Sequence, residues 1–580
     1  MSRIFTTSVS PTLTGLVEEL ATPAHHGQVV EAWLFSDVQS RRAAEKELAK
    51  HGIAARFHSA YKPLLHFFLE DLDIAGSDLT DIKVRYPQHD NAAENRFLLE
   101  TYPLAALVGQ ATITFTASET TDCTYEITLR TALGDETSHR IFAPNKVHQD
   151  IINETHLSPT GWIRVQDVEG NQIRDERIET DYEILFSRTM EAIAGHDWGD
   201  KEPYFDELNI SVNLPGKDQA IAHDHEVISL HEALHEDLYL SLLEYFQVKS
   251  GRPLDDRGLQ PGQIVPEIRR SGSAVSVTVE TRPLSTAEIL GPDQELVAAR
   301  APITSAQIMA ELDQIDGTPF AASSRSGRTI SARYRPGADA PVMISGGQHA
   351  NESTGVVGAL RAAGALAKRE GAHFTISPLE NPDGYALHQR LITENPNHMH
   401  HAARYTALGD DLEYRRGTAL YEKAIRVRAQ DISKAQLHIN LHGYPSHEWT
   451  RPLSGYVPRG FSKWTLPKGF FLIMRHHDDW TERAEALVDR VTQKLAEMPG
   501  LLAFNNAQIE LYRIHAGETG FRIINGFPCM ISVDDRHEVP LTLITEYPDE
   551  TIYGDYFIAG HSAQMATVLA AYEAYQELAG

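Results

Sequence analysis

Beyond about residue 300, short apolar runs alternate with longer amphipathic stretches, and this alternation restricts the fold more than any other feature of the chain. The apolar runs have the length and composition of buried strands: "RTISARYRP", "APVMISGG", "HFTISP", "QLHINLHG" and "PLTLITE". Stretches such as "STGVVGALRAAGALAKREG", which begins with serine and threonine and ends with glycine, predict helices. "WTERAEALVDRVTQKLAEM" is a second such stretch. Strands that alternate with helices are typical of an α/β domain with a parallel or mixed sheet.

The first 300 residues contain both element types without this regular alternation. "QVVEAWLF", "QATITFTASE" and "CTYEITLRT" predict strands, whereas "VQSRRAAEKELAKHG" and "VISLHEALHEDLYLSLLEYFQ" predict helices. We therefore predict a mixed α/β accessory domain over residues 1–190, an accessory α+β region over 191–299, and an α/β domain over 300–580 whose mixed sheet is flanked by helices. The N-terminal half is expected to shape access to the last domain or to form contacts in a homo-oligomer.

Composition excludes several classes of protein. The formal net charge is −28, so a basic surface that binds nucleic acid is not expected. Cys123 and Cys529 are the only cysteines, which excludes a disulfide framework. No apolar run reaches the roughly 18 residues that a membrane span needs, and the start, "MSRIFTTSVSPTLTG", lacks the regions of a secretory signal. These observations predict a cytoplasmic protein that binds neither nucleic acid nor membrane.

Side chains that commonly bind metals follow three of the predicted strands. His349 and Glu352 come directly after the run that ends in "VMIS". His442 closes "LHINLH", and Glu546 closes "LTLIT". Reactive residues of α/β sheets gather beyond the carboxyl ends of the strands, and a catalytic zinc site needs three protein ligands and an open position. Each pattern alone arises often by chance, so the hypothesis of a metal site depends on their combination.

Five sequence blocks in this half resemble the zinc carboxypeptidases, the carboxypeptidase A-like metallopeptidase family. They are "GGQHANES", "ENPDGY", "LGDDLEYR", "INLHGY" and "LITEYPD", and they follow the order typical of that family between about residue 300 and residue 580. The resemblance implies a zinc carboxypeptidase-like domain in which one zinc ion is bound by His349, Glu352 and His442. It also implies a hydrolase that cleaves small peptides or amide conjugates with a metal-activated water.

The same resemblance implies roles for residues around the zinc ion. Glu546 matches the family's general base, which takes a proton from water and hands it to the leaving amine. Asp411, in "GDDL", matches the aspartate that accepts the ring N–H of the first zinc-binding histidine. Arg404 is the candidate for the arginine that polarises the scissile carbonyl, and Arg390 competes with it for this role.

Two features depart from the family pattern. Glu413 and Tyr414 occupy the positions where the family's exopeptidases carry the Asn-Arg pair that holds a C-terminal carboxylate. Arg415, the next residue, is a candidate for substrate binding, although the neighbouring glutamate would repel a carboxylate. The family's substrate-covering tyrosine has no match, and neither Tyr512 nor Arg522 is a secure replacement. We therefore expect atypical recognition of the C-terminus, or a zinc-binding or scaffold protein of this fold without turnover.

A second metal-binding pattern lies in the first half. "HEALH", residues 231–235, matches H-E-x-x-H, in which two histidines on one helical face bind zinc and the glutamate acts as base. A metallopeptidase that uses this motif is an alternative, and His223 and His225 are further candidate ligands. No third ligand follows at a familiar spacing, and Glu236 and Asp237 predict a solvated acidic face. A histidine pair packed on an amphipathic helix is therefore the preferred interpretation.

Three further segments are rich in aromatic residues or histidine. The stretch over residues 442–471 predicts, with equal weight, a wall of the substrate cleft or an ordinary ordered loop. "HMHH" (398–401) and "RHH" (475–477) are typical of solvated surface, and the first of them borders Arg404. No role is assigned to either histidine cluster.

Overall fold

The computed structural model describes residues 2–72, 74, 78–461 and 464–579. The strands of the first 300 residues are β1 (Ser2–Val9), β2 (Val29–Leu34), β3 (Ala54–Ser59), β4 (Leu79–Tyr86), β5 (Thr112–Ala117), β6 (Thr124–Thr131), β7 (Glu136–Phe142), β8 (Asn145–Gln149), β9 (Thr155–Pro159), β10 (Gly161–Gln166), β11 (Gln172–Ile178), β12 (Glu207–Leu214), β13 (Gln219–Ala220), β14 (Val227–Ile228), β15 (Gln263–Arg270) and β16 (Val275–Arg282). The α-helices of the same part are α1 (Thr12–Leu20), α2 (Val38–Lys50), α3 (Pro63–Glu70), α4 (Arg96–Leu99), α5 (Leu104–Leu107), α6 (Asp181–Ala194) and α7 (Leu230–Lys249).

The second half has longer helices between its strands. Its strands are β17 (Thr318–Ser323), β18 (Thr329–Arg335), β19 (Val342–Gly346), β20 (Phe374–Ser377), β21 (Leu437–Pro445), β22 (Phe471–His476), β23 (Arg522–Ile524), β24 (Phe527–Val533) and β25 (Leu541–Glu550). Its α-helices are α8 (Ser305–Asp313), α9 (Thr354–Leu366), α10 (Pro382–Glu394), α11 (Ala424–Ser433), α12 (Thr481–Ala496), α13 (Leu501–Ala516) and α14 (Asp555–Ala579). The strands and helices that the sequence predicts for this half are confirmed.

The strands of the first half form several small mixed sheets. Three of them have four strands each, in the orders β1-β16-β12-β15, β11-β10-β2-β3 and β5-β4-β6-β7. Each combines one parallel pair of neighbours, namely β12 with β15, β2 with β3, and β4 with β5, with antiparallel neighbours. This mixture of helices and mixed sheets agrees with the α and β content predicted for residues 1–299.

A nine-stranded mixed sheet organises the second half, in the order β17-β18-β20-β19-β21-β25-β22-β24-β23. In its centre β19 is parallel to both β20 and β21, and β21 is parallel to β25. Every residue of β19, β21 and β25 is buried. Strands that are covered on both faces read as nearly continuous apolar runs, which is why these segments are recognisable in the sequence.

The two faces of this sheet have different neighbours. Ile344, Ile439 and Leu543 point into a core that also contains the buried side of α9, α12 and α14. Successive strand residues point to opposite faces, so Met343 lies on the other face, where it packs against Ala429 of α11. Ser345, Asn440 and Glu546 lie on this second face, away from the apolar core. Thr545 instead faces α14, where its hydroxyl donates to Gln564.

Helix α7 is buried along most of its length, and the expectation of a solvated acidic face on it is wrong. Glu236 and Asp237 are both 0% exposed. Asp237 accepts hydrogen bonds from the Leu453 N–H and the Ser454 hydroxyl, and Glu236 pairs with the His401 ring. Segments of the second half thus cover the polar side of α7, which the charge pattern of the helix alone does not reveal.

Apolar packing continues across residue 300. One core combines Leu208 and Ile264 of the first half with Met399 and Trp449 of the second. Another core lies on the α9, α12 and α14 side of the nine-stranded sheet and runs from Ala299 to Tyr575. The domain boundaries near residues 190 and 300 stay predictions.

Two expectations from composition concern membranes and disulfides. In the part of the chain that the structure describes, no helix combines the length and apolar character needed to cross a membrane. Cys123 and Cys529 are both free and buried. They contribute to two different hydrophobic cores.

A fully buried histidine between the halves predicts a pH dependence of stability. The Ala105 N–H donates to Nε2 of His515, so Nδ1 carries the ring proton and donates to the Thr101 hydroxyl at 2.8 Å. Burial lowers the pKa of His515 to about 3. Below the ordinary histidine pKa of about 6.5 the unfolded chain binds a proton that the folded chain does not, so stability falls as pH falls.

We expect the His515→Gln variant to lose less stability between pH 7.5 and pH 5 than the wild type, by about 2 kcal/mol. Denaturant unfolding at the two pH values measures this difference. His51→Gln, at an exposed histidine, is the matched control. Equal losses of stability in the wild type and His515→Gln would show that His515 is protonated in the folded chain.

Candidate metal centre

Three neighbouring parallel strands bring the predicted ligands to one edge of the nine-stranded sheet. The carboxyl ends of β19, β21 and β25 meet there. His442 of β21 is the register partner of Glu546 of β25. Because neighbouring strands lie about 4.8 Å apart and partners in register share a face, these two side chains leave the sheet side by side.

The turn after β19 places the other two residues. Gly347 has a φ of 62°, a conformation that residues with a Cβ rarely adopt. The turn then leads into α9, where the Thr354 N–H donates to Asp549 of β25 at 2.9 Å. His349 and Glu352 lie between these two fixed points. The two glycines that open the block "GGQHANES" thus include one position, Gly347, that requires glycine.

His349, Glu352 and His442 converge on one point. Nδ1 of His349 lies 2.9 Å from Oε1 of Glu352, and Nδ1 of His442 lies 2.9 Å from Oε2 of the same carboxylate. The two Nδ1 atoms are 3.0 Å apart. All three side chains are buried, and among the described residues they form the one group of three or more ligands whose atoms lie within 4.8 Å of one another.

Hydrogen bonds on the outer side of each ring assign its tautomer. Nε2 of His349 faces Oδ2 of Asp411 at 3.2 Å, and a carboxylate only accepts, so this nitrogen carries the proton. Gln348 donates its amide N–H to the same Asp411. The side-chain oxygen of Gln348 therefore points the other way and lies 3.2 Å from Nε2 of His442. That nitrogen therefore carries a proton too, and both Nδ1 atoms are left with free lone pairs.

Two lone pairs and a carboxylate that face each other across about 3 Å repel one another unless a cation lies among them. Two imidazoles and one carboxylate are a ligand set that suits a catalytic zinc ion, and the outer partners fix the ring orientation. The residues present therefore fit one divalent metal ion.

The protonation states of the group agree with metal binding, which requires deprotonated ligands. Burial raises the pKa of Glu352, but its contact with the His349 ring and the charge of Arg404 outweigh burial and hold that pKa well below its usual range. Burial lowers the pKa of His442 to about 4, so its ring is neutral at pH 7. Burial also raises the pKa of Asp411, but the hydrogen bond from the His349 ring and the charge of Arg257 outweigh burial, so this pKa lies below its usual range.

A cavity of about 260 Å³ opens at this group. Its polar lining includes Glu546 and Arg404. Burial and the negative charge of Glu352 raise the pKa of Glu546 well above its usual range. The cavity therefore places a carboxylate with a high pKa and a guanidinium beside the candidate metal ligands.

The three arginines that the sequence proposes for the site have different surroundings. Arg404 donates to Oε1 of Glu352 at 2.6 Å and lines the cavity. Its competitor Arg390 lines a different cavity, where it pairs with Glu207 at 3.0 Å. Arg415 is fully buried, pairs with Asp410 at 2.6 Å, and does not line the site, so it has no place in the function proposed below.

Glu413 and Tyr414, which stand where the Asn-Arg pair was expected, both line the cavity. Glu413 accepts hydrogen bonds from Arg426 at 2.7 Å and from Arg475 at 2.9 Å. The Tyr414 ring lies beside the guanidinium of Arg257, at 5.5 Å from its centroid. Arg257 also lines the cavity. It comes from the first half of the chain, and nothing in the local sequence around it marks a functional residue.

The "HEALH" side chains have separate partners. His231 and His235 each donate a ring N–H to a backbone carbonyl oxygen, at 3.2 and 2.9 Å. Glu232 accepts from the His447 ring at 2.7 Å. Burial lowers the pKa of His235 to about 3. This arrangement supports a packed histidine pair, and none of the three residues joins a group of metal ligands among the residues that the structure describes.

The expectation of solvated surface for "HMHH" and "RHH" is wrong in large part. His398, His400, His401 and His476 are all buried. The first cluster packs against α7, where the His401 ring pairs with Glu236. His401 also lines the cavity beside the metal ligands.

The aromatic segment over residues 442–471 contributes much of the cavity wall. Trp449, Phe461 and Trp464 all line it. Residues 462 and 463 lie outside the described residues. Of the two alternatives for this segment, the structure therefore favours the wall of a cleft. Tyr512 packs in another buried cluster, and Arg522 pairs with Glu485 at the surface, so neither lines this cavity.

Comparison with known proteins gives only distant likenesses. No family model matches the sequence, and no curated protein matches it. The chain is similar to a solved metallo-carboxypeptidase of Burkholderia cenocepacia (15% identity, 53% of this chain and 76% of that chain, TM-score 0.29). It is also similar to a carboxypeptidase A of Helicoverpa armigera (10% identity, 64% of this chain and 97% of that chain, TM-score 0.30). The sequence identities and the TM-scores are both low, so these likenesses carry no argument about function. The function proposed below is argued from the geometry of the site alone.

Metal analysis separates the two candidate sites. We expect one divalent ion per chain in the wild type and its loss in His442→Asn, because that variant removes one of three converging ligands. His235→Asn, which keeps a donor for the backbone carbonyl, is expected to retain the ion. Elemental analysis after dialysis gives the metal content, and melting curves show that both variants fold. Retention by His442→Asn with loss from His235→Asn would instead assign the metal to "HEALH".

Proposed function

We propose that this chain is a zinc-dependent hydrolase that cleaves a peptide or amide bond in small peptides or amide conjugates. The observation that carries the proposal is the convergence of two imidazole lone pairs and the Glu352 carboxylate inside a cavity that also contains Glu546 and Arg404. A site that only binds a metal ion would not need Glu546 and Arg404. A general base and a cation beside a metal are what amide hydrolysis requires.

His349, Glu352 and His442 would hold the zinc ion, with Asp411 and Gln348 keeping the two rings in the ligating tautomer. The ion would supply Lewis-acid chemistry, polarising the amide carbonyl and acidifying water. Glu546 has a raised pKa and lies beside His442 on the neighbouring strand. In this proposal it takes a proton from the attacking water and hands it to the leaving amine.

Arg404 would stabilise the negative charge that develops on the carbonyl oxygen. One of its nitrogens donates to Glu352, which fixes the guanidinium next to the metal ligands. Burial makes this charge more effective than it would be in water. The positive charge of Arg404 is therefore in position before the reaction begins, and the side chain needs little rearrangement as negative charge develops on the carbonyl oxygen.

Recognition of the substrate is proposed to differ from that of C-terminal exopeptidases. Glu413 is engaged by Arg426 and Arg475 and contributes negative charge to the cavity wall. Burial raises the pKa of Glu413, but its contact with the His537 ring at 2.7 Å and the charge of Arg426 hold that pKa well below the usual range. The aromatic wall of Trp449, Phe461 and Trp464 supports an apolar group on the substrate.

The Glu546→Gln variant tests the role of the base. We expect it to keep its zinc but to lose activity by about 10²- to 10⁴-fold in kcat, because the carboxylate that moves the proton is gone. A chelator should abolish wild-type activity, and added zinc should restore it. The screen covers small peptides, acyl-amino acids and peptidoglycan fragments.

Glu538→Gln, at an exposed glutamate, is the matched control and should keep full activity. A Glu546→Gln variant with an undiminished rate and bound zinc would contradict the assignment of the base. A zinc-loaded wild type that turns over none of these substrates would favour the alternative of a zinc-binding or scaffold protein.

A further inference from the structure

Trp449, in the wall of the metal cavity, is flanked by two residues that both contact the first half of the chain. On one side, the Glu448 carboxylate pairs with the Lys62 ammonium. On the other side, the Thr450 hydroxyl lies 2.6 Å from the Tyr61 hydroxyl. Two adjacent residues of the first half are thus bonded to the residues on both sides of the tryptophan.

The contact between Lys62 and Glu448 is a buried ion pair with further partners. The ammonium also donates to the carbonyl oxygen of Tyr102 at 3.2 Å, and Glu448 accepts a hydrogen bond from the Tyr456 hydroxyl at 2.9 Å. A buried ion pair adds little net stability, but an arrangement that separates its two charges is strongly disfavoured. The pair therefore restricts where the residue before Trp449 can lie.

The backbone of Lys62 has a conformation that a lysine rarely adopts. Its φ is 52° and its ψ is 52°, in the left-handed region, at the point where the chain passes from β3 to α3. Neighbouring side chains of an extended chain point in opposite directions, so a turn is needed for Tyr61 and Lys62 to reach the same segment. Such strained conformations cluster at functional sites. The strain at Lys62 therefore points to a role for the double contact.

The hydrogen bonds of Trp449 itself stay within the aromatic segment. Its indole N–H donates to the carbonyl oxygen of Trp464 at 3.1 Å, and its backbone N–H donates to that of Thr465 at 3.2 Å. Trp464 lines the same cavity. These bonds join two parts of the wall to each other, whereas the contacts of Tyr61 and Lys62 join the wall to the first half of the chain.

We propose that Tyr61 and Lys62 are positioning residues that hold Trp449 in place against the apolar group of the substrate. Neither of them lines the cavity, so they act through the tryptophan between their two partners. This inference rests on the proposed function, which places an apolar group of the substrate against the aromatic wall. It assigns the strength of that preference to a contact made by the first half of the chain.

Binding to the zinc-loaded Glu546→Gln variant measures recognition without turnover. The ligands are N-acetyl-glycyl-phenylalaninamide and N-acetyl-glycyl-alaninamide, which differ only in the phenyl ring, and calorimetry gives the Kd of each. We expect the phenyl ligand to bind more tightly by about 10- to 100-fold, the ratio that burial of the ring gives. Adding Lys62→Met together with Glu448→Gln, which removes both charges of the pair, should lower this preference by about tenfold. Tyr61→Phe, which removes one hydroxyl and provides the test should the double change prevent folding, should lower it by about threefold.

Trp449→Leu separates positioning from a merely structural role. This variant should lower the phenyl preference by itself, and adding the Lys62 and Glu448 changes to it should lower the preference no further, because both residues act through Trp449. Lys146→Met with Glu183→Gln is the matched control. It makes the same substitutions at an ion pair of 2.8 Å that does not line the metal cavity, and it should leave both Kd values unchanged.

Three results would overturn the inference, each in variants with full zinc content and unchanged melting temperature. One is a phenyl preference that is the same with and without the changes at Lys62, Glu448 and Tyr61. Another is an effect of these changes that adds fully to that of Trp449→Leu. The third is an equal Kd for the two ligands in the parent variant.

The same two ligands, given to the chain with Glu546 intact, distinguish failure of this inference from failure of the proposed function. Hydrolysis of both ligands with a ratio of KM values that the Lys62 and Glu448 changes do not alter would contradict the positioning role alone. A phenyl preference that depends on Trp449 and Lys62, without hydrolysis of either ligand, would contradict the proposed function while supporting the positioning role.

Discussion

The site depends on the tautomers of two histidines. Asp411 and Gln348 each place an acceptor on the outer nitrogen of one ring, so the inner nitrogens of His349 and His442 carry free lone pairs. Glu352 brings a carboxylate to the same point. A divalent cation among His349, Glu352 and His442 removes this repulsion while both rings stay neutral and keep their outer hydrogen bonds. The metal site that we propose, and with it the chemistry proposed for Glu546, depends on this constraint.

The first half of the chain is joined to the site by buried polar contacts. Glu236 of α7 pairs with His401, which lines the cavity, and Glu232 accepts a hydrogen bond from His447. The motif that resembles a metalloprotease sequence therefore serves here as a polar contact surface between the two halves. Buried polar groups of this kind are costly unless every partner is in place, so they fix how the halves pack.

Much of the second half could be predicted from the sequence. The runs that become β19, β21 and β25 are continuous and apolar because these strands are covered on both faces. Histidine and glutamate residues at the ends of such apolar runs stand out in the sequence, because the runs themselves contain few polar residues. The surroundings of α7 and of the "HMHH" segment could not be predicted, because their charged and imidazole groups are buried by residues far away in the chain.

The sequence by itself determined the α/β alternation of the second half and the placement of His349, Glu352, His442 and Glu546 at strand ends, since both follow from local periodicity. Only the tertiary structure decided which ring nitrogens face the centre, and that Arg415 is buried in ion pairs while Arg257 lines the cavity. Those outcomes depend on contacts between segments that are distant in the chain. The sequence around a charged residue does not reveal which distant group will pair with its charge.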